Sequence, residues 1–78
     1  MKKIRVGDIL TVKKSFNGRI LLFIPDVRTR EFKVRVLEKD GKYRFLGEVL
    51  EYVEIYALNG VGIQEQQKMW FDVSEIVN

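Results

Sequence analysis

Five cations crowd into residues 31–46, EFKVRVLEKDGKYRFL: Lys33, Arg35, Lys39, Lys42 and Arg44. Ammonium and guanidinium groups at this density suit one kind of chemistry, the holding of anions, above all phosphate oxygens. Arg28 and Arg30 lie just before them, and Lys13, Lys14 and Arg19 come earlier. The residues that catalysis needs are scarce. The chain has no histidine and no cysteine, which removes the usual general base, the usual neutral-pH switch and any thiolate metal site. Ser15 and Ser74 have no histidine to activate them, and Asp8, Asp26 and Glu31 stand as isolated acids. No lysine sits in an apolar run that would turn it into a base or a Schiff-base former. Gly60-Val61-Gly62 is a lone G-x-G without the strand-to-helix setting of a phosphate loop. No acids take the spacing of an EF-hand loop. The expectation is a protein that is not an enzyme, with no cofactor and no metal.

The element that must position the cations is a β-hairpin. Asp40-Gly41 is a favoured two-residue type I′ tip, because both central positions need positive φ. That tip sets Lys39 opposite Lys42, Glu38 opposite Tyr43, Leu37 opposite Arg44 and Val36 opposite Phe45. Side chains alternate between faces. One face then holds Phe32, Val34, Val36, Glu38, Tyr43 and Phe45 for the core. The other holds Lys33, Arg35, Leu37, Lys39, Lys42, Arg44 and Leu46, which is five cations and no acid.

The whole chain is 78 residues, the size of one small domain (residues 1–78) with a thin core. Fourteen Lys and Arg against 11 Asp and Glu give a net charge of +3, which permits an anionic partner. The N-terminus MKKIRVGDIL has no signal-peptide core, and no apolar run approaches the roughly 20 residues of a membrane span. The absence of cysteine suits a reducing compartment. The expectation is a cytoplasmic protein without a membrane partner.

Along the chain, residues 2–6 alternate as a short strand, Gly7-Asp8 signals a turn, and residues 9–14 read as a strand. Asn17-Gly18 reads as a second tight turn, with Phe16 folded back over one end of the domain. Residues 19–24, RILLFI, read as a strand buried on both faces and ended by Pro25, and residues 26–30 as a loop. Gly47 marks a bend or bulge. Residues 48–58, EVLEYVEIYAL, are ambiguous. Glu48, Glu51 and Glu54 are spaced by three, as on a helix, but Val, Ile and Tyr favour a strand. The strand is preferred, with Asn59-Gly60 as a third tight turn and residues 61–70 returning beside it, so that Glu54 faces Glu65. Trp70 is expected in the core. A short helical turn capped by Asp72 or Ser74 ends the chain.

Two segments carry a family resemblance. Val6-Gly7-Asp8-Ile9-Leu10-Thr11-Val12 resembles the opening strand of SH3-like barrels of the KOW and Tudor kind. Trp70-Phe71-Asp72-Val73-Ser74-Glu75-Ile76 resembles their closing aromatic strand and one-turn helix. The middle of the chain departs from the pattern, since a KOW motif wants small residues after Gly18 where Ile20-Leu21-Leu22-Phe23-Ile24 stands. The resemblance implies a fold and no site residues. The expected fold is all-β, a small SH3-like antiparallel barrel of five or six strands with a short C-terminal helical turn; the alternative is α+β with residues 48–58 helical.

Three functions follow from these features. The first is a nucleic-acid-binding module, for DNA or RNA, using Lys33, Arg35, Lys39, Lys42 and Arg44 with Arg28 and Arg30 nearby; its bland counterpart is a charged sheet face that deters aggregation. The second is a protein-interaction module, an adaptor or an inhibitor of the kind mobile elements encode. Leu37 and Leu46 would centre its contact surface. Self-association through sheet edges belongs with this reading, as does the polarity of a basic half (residues 1–46) against Glu48, Glu51, Glu54, Glu65 and Glu75. The third, catalysis, has no supporting constellation.

Overall fold

The structure, a computed structural model, describes residues 3–20 and 24–77. It is all-β and antiparallel, with no helix longer than a single 3-10 turn among the described residues. The strands are β1 (Ile9–Ile20), β2 (Ile24–Asp40), β3 (Arg44–Val49), β4 (Val53–Tyr56), β5 (Val61–Ile63) and β6 (Lys68–Asp72), and single 3-10 turns occupy Ala57–Asn59 and Val73–Glu75. Four strands form one sheet in the order β1-β2-β3-β6, and β4 pairs with β5. After β6 the chain returns to β1 through a Val12–Ile76 bridge and a bond from the Val77 N–H to the Thr11 carbonyl at 3.0 Å. The two ends of the four-stranded sheet are thereby drawn together around one core.

The alternation of apolar residues explains that core. Leu10 and Val12 of β1, Phe32, Val34 and Val36 of β2, Phe45 and Val49 of β3, and Phe71 of β6 all point inward and are buried. Ile4, Val53, Ile55 and Ile63 cover them from the N-terminal segment and the β4–β5 pair. Phe71 stacks on Phe45 at 5.4 Å between ring centroids and tilts against Phe32 at 6.0 Å. Phe16 is half-buried and packs against this cluster, as expected of it.

The hairpin of β2 and β3 is real, but its register is not the expected one. Asp40 pairs with Arg44, so the connection is the three residues Gly41-Lys42-Tyr43. A type I′ tip would need positive φ at Asp40 as well as Gly41, and only Gly41 adopts it (φ 68°). With that loop an unbroken ladder would set Val36 opposite Glu48 and expose half the core pairs. The ladder instead shifts between Val36 and Glu38, opposite Gly47, so Val36 meets Gly47 and Val34 meets Val49. The bulge at Leu37 exchanges the faces of everything between it and the tip. Glu38 turns outward beside Leu46, and Lys39 turns to the side of Phe45.

Several shorter expectations are corrected. Residues 3–5 form no strand; Gly7 (φ 97°) makes the expected turn, and its N–H bonds the Val36 carbonyl at 2.7 Å. Asn17-Gly18 is no turn: β1 continues straight through it, with Gly18 opposite Asp26. Residues 26–30, expected as a loop, are the strand facing it. Of the expected strand RILLFI, Leu21, Leu22 and Phe23 lie outside the described residues. Pro25 opens β2 rather than ending a strand. The bond from the Val36 N–H to the Asp8 carbonyl sets the phase of the β1–β2 ladder. It aims the Pro25 nitrogen at the edge away from β1, where no described strand lies opposite, so its missing N–H costs no ladder bond.

Residues 48–58 are not helical. They divide into the end of β3, a link, β4 and the first 3-10 turn, whose C-cap is Gly60 (φ 66°). β5 returns beside β4 only as far as Ile63, with Glu54 opposite Gly62 rather than Glu65. The chain then turns, with Gln66 at φ 71°, and Lys68 pairs with Glu48 of β3.

The C-terminal turn forms where expected and for the expected reason. The Asp72 carboxylate accepts the Ser74 N–H at 3.0 Å, and the Glu75 carboxylate accepts the Asp72 N–H at 2.8 Å, a reciprocal cap. Lys14 ties this turn to β1, since its ammonium lies 3.2 Å from the Glu75 carboxylate and 5.1 Å from the centre of the Phe71 ring. The backbone hydrogen bond from Ser74 holds the Asp72 carboxyl below its ordinary pKa of 3.8. A carboxyl depressed by folding stabilises above its unfolded pKa and loses that contribution as the pH falls through the folded value. The melting temperature of the native protein is therefore expected to exceed that of Asp72→Asn at pH 6, and the gap to close below about pH 3.8. Thermal melts of both proteins between pH 2 and 7 check this; a gap that stays constant with pH contradicts it.

Candidate nucleic-acid interface

The seven cations expected to act together fall into three places. Lys33 and Arg35 lie on the outer face of the four-stranded sheet, opposite Thr11 and Ile9 of β1. Arg35 is 3.6 Å from the Glu48 carboxylate. The guanidinium of Arg44 is on the same face, 4.9 Å from the centre of the Trp70 ring and 3.4 Å from the Asp40 carboxylate. This face is not free of acids. Glu31, Glu38, Asp40, Glu48 and Asp72 stand among Lys13, Lys33, Arg35, Arg44 and Lys68, one acid for each cation. The bulge put Glu38 there, and β6 brought Asp72.

Arg28 and Arg30 face the other way, toward β4. Arg28 is 3.0 Å from the Asp26 carboxylate and stacks on the Tyr56 ring at 5.3 Å. The hydrogen bond and charge of Asp26 raise its pKa further. Arg30 donates to the Glu54 carbonyl at 2.9 Å and the Ile55 carbonyl at 3.1 Å. Both arginines fasten β4 to the β1–β2 pair. Of Arg19 only the backbone is described.

Lys39 and Lys42 form the third group, with a residue that sequence reasoning missed. The N-terminal segment crosses beside the hairpin tip, anchored by buried Ile4, and brings Lys3 to the same cleft. The cleft has a volume of about 440 Å³. Ile4, Phe45 and Val73 give it an apolar floor, Lys3, Lys39 and Lys42 stand around it, and Arg44 forms its lip. None of the described residues lining it is acidic. None of the three lysines makes an ion pair with a described residue. Lysine is a compact, mobile point charge, so three around one opening make a place for phosphate oxygens that is indifferent to what they are attached to. Nothing in the sequence marks Lys3 for this cleft, since it belongs to no strand and only the burial of its neighbour places it.

Trp70 was expected in the core and is not there. Met69 and Phe71 take the inward positions of β6, and Trp70 stands on the outer face beside Leu46, 40 % exposed. Among the described residues no three of His, Cys, Asp and Glu are placed to hold a metal ion, and no helix is long and apolar enough to cross a membrane. No protein-family model matches the chain. Neither the curated proteins nor the solved structures contain a match to it.

Proposed function

We propose that the protein is a non-catalytic nucleic-acid-binding module that grips the phosphate backbone at the tip of the β2–β3 hairpin and acts in the cytoplasm. The observation that supports this most is the cleft in which Lys3, Lys39 and Lys42 stand without any acidic neighbour in its lining. Elsewhere on the hairpin Arg35 and Arg44 are ion-paired with Glu48 and Asp40, and Arg28 and Arg30 are tied down toward β4. The resemblance to SH3-like barrels adds an analogy of fold, since many of them bind nucleic acid or protein segments. A second reading, a protein-interaction module, draws on the outer face. Leu46 and Trp70 there lie at the centre of balanced charges, the pattern of a protein contact.

Binding of single-stranded DNA, single-stranded RNA and duplex, followed by fluorescence anisotropy across a salt series, separates the two. Lys39→Glu with Lys42→Glu is expected to weaken binding at least roughly tenfold at low salt. It should also reduce the slope of log K against log salt by about 1.4–1.8, the loss of two phosphate contacts. Lys33→Glu with Arg35→Glu is expected to change neither. Absence of binding at low salt, or the reverse ranking of the two variants, rules out the cleft.

A further inference from the structure

Strand β6 ends the sheet, and its free edge matches a copy of itself. The bonds from the Val73 N–H to the Tyr43 carbonyl (2.7 Å) and from the Val49 N–H to the Gln67 carbonyl (2.9 Å) set the phase of the β3–β6 ladder. Met69 and Phe71 therefore spend their backbone groups on β3. Those of Lys68 and Trp70, and the carbonyl of Asp72, point away from the sheet; the Asp72 N–H is taken by Glu75. No other strand among the described residues pairs with this edge. The side chains of the same three residues share the outer face, and all three are exposed.

We propose that β6 pairs antiparallel with β6 of a second copy of this chain, about a two-fold axis through Trp70. In that register Trp70 faces Trp70, and Lys68 of each copy faces Asp72 of the other. Trp70 N–H groups bond Trp70 carbonyls in both directions, and Lys68 N–H groups bond Asp72 carbonyls at both ends. Charge selects this register. The phase of the edge allows only shifts by two residues. One such shift sets Lys68 opposite Trp70 and Asp72 opposite Gln66; the other sets Trp70 opposite Asp72 and Lys68 opposite Ser74. Neither pairs a charge. The contact is isologous, as two-fold dimers require, and it joins two four-stranded sheets into one. It uses none of Lys3, Lys39 or Lys42. A five-residue strand makes a small interface, so the dimer is weak, with a dissociation constant of roughly 10–100 µM.

Sedimentation velocity on the nucleic-acid-free protein from about 10 µM to 1 mM brackets that range. The native chain is expected to pass from monomer to dimer. Lys68→Glu sets an acid against Asp72 at each end of the contact and is expected to weaken the dimer at least roughly tenfold. Asp72→Lys sets lysine against lysine and does the same. An equimolar mixture of Lys68→Glu and Asp72→Lys chains restores complementary pairs at both ends, and the dimer returns as a heterodimer. Since Asp72 also caps the last turn, Trp70→Pro gives an independent route if Asp72→Lys fails to fold. It deletes an N–H that only the second copy uses, so it should leave a folded monomer that no longer dimerises. A native chain that stays monomeric to 1 mM overturns the proposal, as does a Lys68→Glu or folded Trp70→Pro chain that dimerises as tightly as the native one.

Discussion

Phe71→Ala is expected to cost about 3–5 kcal/mol and to leave much of the population unfolded at physiological temperature. The ring is 1 % exposed, between Phe45 and Phe32, and carries the Lys14 ammonium on its outer side. Truncation opens a cavity where three elements meet. β6 loses its anchor to β3, β2 loses the tilted contact at Phe32, and the Lys14–Glu75 tie to the C-terminal turn loses the surface it lies on. A domain of 78 residues has a total stability of only roughly 4–12 kcal/mol, so one substitution can remove half of it. The surroundings cannot collapse inward to compensate, because Phe45, Val34 and Val36 are already packed with no solvent exposure of their own. Urea denaturation followed by far-ultraviolet circular dichroism checks the value. Phe71→Leu, which keeps most of the volume, should cost no more than about 1.5 kcal/mol. Equal losses for the two would mean that the ring is not the keystone of this core.

The same physics explains what was legible in the sequence. Period-two alternation wrote the core face of β2 and β3 plainly, and Phe32, Val34, Val36 and Phe45 are where it puts them. The cap at Asp72 was legible too, because it is local: Asp72, Ser74 and Glu75 complete it among themselves. Positions set by a partner strand were not legible. Asn17-Gly18 has the composition of a turn, yet residues 26–30 offer it a ladder, and the ladder prevails. The bulge at Leu37 is the resolution of two demands, a three-residue tip and an inward Val36, and neither shows it alone. That one bulge moved Glu38 onto the outer face and Lys39 off it, and with Glu31, Asp40 and Glu48 on the same face and Asp72 brought there by β6, the row of cations is not free of acids. Lys39 and Lys42 survive as a pair only because Lys3, 36 residues upstream of Lys39, comes to meet them. The outward position of Trp70 is legible in the alternation itself. Lys68-Met69-Trp70-Phe71-Asp72 alternates, and Trp70 shares its parity with Lys68 and Asp72, two residues that do not enter cores.

Gly18→Ala carries the second large effect, about 1.5–2 kcal/mol, and its sign depends on one neighbour. Gly18 has no unusual backbone angle, since the positive-φ glycines are Gly7, Gly41 and Gly60. It is glycine because the Tyr56 ring lies on it, and a Cβ there would collide with the Tyr56 hydroxyl. That hydroxyl donates to the Asp26 carbonyl at 2.7 Å and lies 3.1 Å from the Phe16 carbonyl, closing β4 over the β1–β2 pair. A methyl group at Gly18 displaces the ring. It costs the one hydrogen bond the hydroxyl proton can make, at about 1–1.5 kcal/mol, and the Arg28 stack on the ring, at about 0.5 kcal/mol. Removing the tyrosine first reverses the outcome. In a Tyr56→Ala background the methyl meets no ring, and alanine fits an extended backbone better than glycine by about 0.5–1 kcal/mol. Gly18→Ala should then be neutral or stabilising. Urea denaturation of both single variants and the double variant gives the coupling energy directly. A Gly18→Ala penalty that is unchanged when Tyr56 is absent would mean that the glycine answers to the strand and not to the ring.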